Sequence, residues 1–117
     1  MAVSRIMYIE KKGDAHTGES FLHGGYARIG RVTFSKTMRS VHYNGKAYRK
    51  VSGYKYNFIE EETGDYYWIS GCKKDGTDRL YNERVPIQID GDVREEYWRD
   101  IRQLPCEINV KVRNKKN

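Results

Sequence analysis

The chain predicts a mainly β (α+β) fold, a small antiparallel barrel or strongly curved sheet with one C-terminal helix and a final strand. Three observations carry this. Apolar and polar residues alternate over short stretches, as in Arg31-Val32-Thr33-Phe34-Ser35 and again at Val85, Ile87 and Ile89. Glycines punctuate the pattern at Gly45, Gly53, Gly64 and Gly76, a spacing of about eight to twelve residues that suits strands joined by turns. Helical spacing occurs once, with Val93, Tyr97, Ile101 and Leu104 on one face. An SH3-like barrel is the first expectation, and an open sheet with a covering helix the second.

Along the chain, a short first strand is expected around Ile6 to Ile9, followed by a polar, glycine-rich surface loop over residues 11–25. Ala27 to Ser35 reads as a half-buried strand. The strongest local signal is Val41 to Tyr48, where Asn44-Gly45 supplies the two positive φ angles of a type I′ hairpin turn. That turn sets Tyr43 opposite Lys46, His42 opposite Ala47 and Val41 opposite Tyr48. Tyr54, Tyr56 and Phe58 alternate with Lys55, Asn57 and Ile59, and Glu62 to Asp65 turns the chain into a strand at Tyr66 to Ile69. Lys74-Asp75-Gly76 leads to a further strand at Arg79 to Tyr81, and Pro86 places the Val85 to Ile89 strand at an edge or start. Asp92 and Glu95 have capping-box spacing for the helix Asp92 to Leu104, with Glu95 and Arg99 paired four apart and Pro105 as the stop. Ile108, Val110 and Val112 alternate as the last strand before a frayed tail at 114–117.

With 117 residues and no linker or repeat, the chain is expected to form a single domain spanning 1–117. Leucine occurs only as Leu22, Leu80 and Leu104, so the core is expected to use Tyr, Phe, Val and Ile. Cys72 and Cys106 lack CxxC spacing, and no apolar run reaches signal-peptide or membrane-spanning length, which together predict a reduced, cytoplasmic protein with no membrane partner.

Charge is more informative than its net value of +6. Between Ser20 and Ile59 stand eight Lys or Arg residues and no Asp or Glu, whereas residues 60–107 carry 13 acidic and 7 basic side chains. One consequence could be mutual neutralisation across a shared sheet; the other is a surface that attracts an anionic partner.

No catalytic residue, metal site or cofactor is expected. His16, His23 and His42 have no His or Cys at ligand spacing, and Glu60-Glu61-Glu62 on a strand point to alternating faces at a solvated hairpin end. Gly71 to Gly76 lacks the strand-to-helix context of a phosphate loop. The chain therefore reads as a non-enzymatic binding module. Nucleic acid, as single-stranded or structured RNA or DNA, is the leading partner. Arg28, Arg31, Lys36, Arg39, Lys46, Arg49, Lys50 and Lys55 would meet phosphates, and Tyr48 and Tyr56 would stack bases. The alternative is a protein partner, as for an inhibitor, antitoxin or immunity-type protein, anchored on Tyr67, Trp68, Arg94, Trp98 and Arg102.

The stretches Ala27-Arg28-Ile29-Gly30-Arg31-Val32-Thr33-Phe34-Ser35-Lys36-Thr37, Glu62 to Gly76 and Asp92-Val93-Arg94-Glu95-Glu96-Tyr97-Trp98, with Met7 to Glu10, resemble a group of small bacterial cytoplasmic proteins of unassigned function. The resemblance implies a bacterial single domain and carries no active site. Members are sometimes labelled as a deoxyxylulose-phosphate synthase, an activity whose size and diphosphate-binding motif this chain lacks.

Overall fold

The structure is a computed structural model that describes residues 3–13, 27–53, 56–74 and 87–113. Its strands are β1 (Val3–Gly13), β2 (Ala27–Phe34), β3 (Ser40–Tyr43), β4 (Lys46–Lys50), β5 (Phe58–Glu60), β6 (Tyr66–Gly71), β7 (Ile87–Ile89) and β8 (Val112–Arg113). Strands β2 to β6 form an antiparallel meander, and β1 lies between β6 and β2, closing six strands into a barrel. Closure depends on the length of β1. Its residues Val3 to Glu10 pair with β2 while Met7 to Gly13 pair with β6, so one strand serves as both seams. The expected short strand at Ile6 to Ile9 is thus eleven residues long, and Lys11 to Gly13 belong to it rather than to a loop. A register shift between Lys11 and Gly13 marks a bulge, which adds the local twist that closure needs.

The hairpin register is the one the Asn-Gly turn dictates, with Val41 opposite Tyr48 and Tyr43 opposite Lys46. Asn44 and Gly45 have φ of 51° and 77°, the left-handed pair of a type I′ turn. Strand β7 departs from the antiparallel expectation. It runs parallel to β2, pairing Arg28 with Gln88 and Ile29 with Ile89, and β8 then adds antiparallel to β7. The expected strand at Arg79 to Tyr81, residues 14–25 of the loop and the 114–117 tail lie outside the described residues.

Alternation along β1 and β2 sends side chains to two separate cores. Met7, Ile9, Val32, Phe34, Val41, Tyr43, Tyr48, Phe58 and Ile69 fill the barrel. Ile6, Tyr8, Ala27 and Ile29, on the outward face of the same strands, pack with Ile87, Ile89, Val93, Tyr97 and Trp98.

The helix is shorter than expected. α1 (Arg94–Glu96) continues directly into a π-helical turn, Tyr97–Ile101, closed by the Arg102 amide donating to the Tyr97 carbonyl at 2.9 Å. Asp92 does not cap it; the cap position is Val93, and no side chain bonds the first amides. Trp98 is enclosed as well. The chain turns through Pro105–Glu107 and covers it, and the indole Nε1 donates to the Val110 carbonyl at 3.0 Å. Tyr97 and Trp98 are both fully buried, and the expected strand at Ile108 to Val112 is reduced to Val112–Arg113 because the preceding residues form this cover. No disulfide joins Cys72, half-buried, and Cys106, exposed. Among the described residues no helix is long and apolar enough to cross a membrane.

Candidate functional site

The strand register sorts the basic stretch by position. One rim of the barrel is built from the start of β1, the β2–β3 turn, the end of β4 and the approach to β5. It carries Arg5, Lys36, Arg39, Arg49 and Lys50, all exposed. The Lys50 amide donates to the Arg39 carbonyl at 2.8 Å, and Ser40 pairs with Arg49, so the turn and the strand end are neighbours. Arg5 faces Val32 across the β1–β2 seam beside them. No Asp or Glu occurs among described residues 3–5, 34–40, 49–53, 56–58 and 71–74, which make up this side of the barrel. The five cations have no ion pair among the described residues.

Other members of the stretch are elsewhere. Arg31, on the outer face of β2, pairs with Glu96 at 2.8 Å, and Arg28 pairs with Asp90 at 2.9 Å. These two contacts are the partial neutralisation by the C-terminal half, and they leave the rim untouched. Lys46 is exposed at the opposite end of β4. Lys55 lies outside the described residues.

The aromatic part of the expected interface is corrected by burial. Tyr48 is 3% exposed inside the barrel, where its ring meets Tyr67 edge-on at 4.9 Å, so no base can stack on it. Tyr56 is half-buried, and one face is covered by Tyr66 at 4.6 Å. The protein-anchor set is corrected too. Trp98 is fully buried, with Arg102 over its ring at 5.3 Å. Tyr67 turns into the barrel, Trp68 packs on the second core, and Arg94 is half-buried. Arg5 was not singled out by sequence, because residues near it balance in charge; only its register beside the β2–β3 turn brings it to the rim.

The other end of the barrel is chemically different. A cavity of about 230 Å³ opens there, lined by Ile9, Arg28, Tyr43, Asn44, Lys46, Tyr48 and Tyr67. Tyr43 donates its hydroxyl to Asp90 Oδ2, and Arg28 Nε donates to Asp90 Oδ1, so one carboxylate fixes both side chains. Gly30 makes room for this cluster, since a Cβ there would stand 2.5 Å from both Asp90 Oδ2 and Tyr43. Burial pushes the pKa of Tyr43 upward, reinforced by Asp90. Burial also raises Tyr48 and Tyr67, while a hydrogen bond between the two phenols raises Tyr48 and lowers Tyr67. All three rings therefore remain neutral hydroxyls at physiological pH.

Glu60, expected in a solvated hairpin end, is 2% exposed on the inward face of β5. Its Oε2 accepts from the Thr63 amide at 2.6 Å and the Thr63 hydroxyl at 2.9 Å, holding the turn to β6 from inside. Burial alone would raise this carboxyl. The bonds from Thr63 and the Glu62 amide, with the charge of Lys46, outweigh burial and hold it below its usual range. Glu61 and Glu62 are both exposed because they lie in the turn after β5, past the end of the strand. Among the described residues no cluster of three metal-ligating side chains occurs.

In comparisons with family models, curated proteins and solved structures, the chain matches none. The functional reading therefore rests on geometry and charge.

Proposed function

We propose that this domain is a non-enzymatic module that binds single-stranded or structured nucleic acid along its basic rim, chiefly through phosphate contacts. The observation that carries the reading is the concentration of Arg5, Lys36, Arg39, Arg49 and Lys50 on an end of the barrel that holds no Asp or Glu among the described residues. Cations held on turns and strand ends of a closed barrel form a fixed positive surface, and their attraction for phosphates grows as salt is lowered. Because Tyr48 is internal and Tyr56 partly covered, base stacking contributes less than the aromatic content suggests. A protein partner has weaker support, since Trp98 is enclosed by its own chain. The absence of a disulfide, with Cys106 exposed, suits a reducing cytoplasm.

The test is fluorescence anisotropy of a labelled mixed-sequence single strand across a salt series. Arg39→Glu, Arg49→Glu and Lys50→Glu together are expected to weaken binding for all sequences alike and to flatten the salt slope by about 0.7 per lost phosphate contact. Lys46→Glu, at the other end of the barrel, is expected to change the slope little. Absence of binding by the wild-type domain at low salt overturns the proposal, as does equal loss from Lys46→Glu.

A further inference from the structure

A cavity opens at the end of the barrel opposite the basic rim, and we infer that it takes a small monocarboxylate with a flat hydrocarbon body. The cavity of about 230 Å³ between Ile9, Arg28, Tyr43, Asn44, Lys46, Tyr48 and Tyr67 is the observation. At this size it suits a ligand smaller than the drug-sized molecules that fill pockets of about 300–1,000 Å³. Ile9 and the edge-packed rings of Tyr48 and Tyr67 make one part of the lining apolar, beside the polar side chains of Arg28, Asn44 and Lys46.

Charge decides the other half of the ligand. Asp90 already balances Arg28 and fixes its orientation. Lys46 is exposed at the lip and has no ion pair among the described residues. Glu60, whose charge reaches Lys46, is buried and does not line the cavity. The phenols are neutral and serve as hydrogen-bonding groups, so they add no negative charge. The wall thus presents one cation with no direct ion pair among the described residues, offset only through space by buried Glu60, beside hydroxyl groups, a match for a single carboxylate rather than a dianionic phosphate. This site shares no residue with the rim assigned to nucleic acid and does not depend on that assignment.

The probe is benzoate, titrated into the folded domain and followed by amide and Tyr side-chain NMR shifts, with benzyl alcohol and inorganic phosphate in parallel. Saturable shifts at Asn44, Gly45, Lys46 and Tyr67, with benzoate at least tenfold tighter than either comparator, are expected. Lys46→Met is expected to weaken benzoate about tenfold, the equivalent of 1.4 kcal/mol. Tyr67→Phe, which keeps the ring, is expected to weaken it severalfold, and the rim triple variant not at all. Benzyl alcohol binding as well as benzoate overturns the role of charge, and phosphate binding as well overturns the flat body. No saturation up to about 10 mM benzoate, an affinity too weak for a built site, overturns the pocket itself. If Lys46→Met fails to fold, the wild-type comparison of the three probes still decides.

Discussion

Glu60 combines two features that usually exclude each other, near-complete burial and a carboxyl held in its ionised form. The Thr63 amide and hydroxyl make this possible by donating to the same oxygen, Oε2. The sign of the pH effect follows. A carboxyl whose folded pKa lies below its ordinary 4.5 contributes stability above that value and loses it as pH falls through the folded pKa. Urea denaturation is therefore expected to show stability declining below about pH 4.5, with no decline from this group between pH 5 and 8. Glu60→Gln is expected to be less stable at pH 7, because neutral hydrogen bonds replace charge-assisted ones, and to have a flatter acid limb. An unchanged acid limb in Glu60→Gln would assign the decline to other carboxylates.

At the scale of the element, the β3–β4 hairpin was legible because its information is local. Two adjacent residues with positive φ fix the turn, and the turn fixes every cross-strand pair after it. Gly45→Val tests this cleanly, since nothing lies within 4 Å of the added Cβ and only backbone strain can act. A loss of about 1–3 kcal/mol is expected in chemical denaturation, the range for a strained backbone position. Unchanged stability would mean the turn tolerates another conformation. The elements that sequence misjudged depend on distant partners. Lys11 to Gly13 are strand because β6 pairs with them, though their own composition resembles a loop. Asp92 and Glu95 have capping-box spacing, yet the helix begins after Val93. Consecutive Tyr97 and Trp98 could not both be assigned to a core from a 3.6-residue period. A π-helical turn and a returning segment enclose them together. The candidate site divides in the same way. The richness in cations was readable from residues 20–59, whereas their separation onto opposite ends, the inward turn of Tyr48 and the mouth itself are products of barrel closure.

For the whole molecule, the consequential feature is that β1 and β2 are walls of both cores. Met7, Ile9, Val32 and Phe34 face the barrel interior, while Ile6, Tyr8, Ala27 and Ile29 face the C-terminal helix from the same two strands. The Asp90 amide donating to the Ile29 carbonyl at 2.9 Å, with the Arg28–Asp90 and Arg31–Glu96 pairs, adds polar ties along the same seam. Strands that cannot leave one core without disturbing the other should couple the two into a single unfolding unit. Trp98 belongs to the second core and not to the barrel core, so it probes that coupling from one side. Trp98→Ala is expected to cost about 3–5 kcal/mol, as large aromatic truncations do. At about 3–5 °C per kcal/mol for a domain of this size, the melting temperature should fall on the order of 10–20 °C. The discriminating measurement is the shape of the transition. Far-UV circular dichroism of the strands and near-UV signals from the barrel tyrosines are expected to move together, at one lowered midpoint. A variant that melts in two steps, with the barrel signal keeping its wild-type midpoint, would show that the six-stranded barrel stands alone and that the C-terminal segment is only an attachment to it.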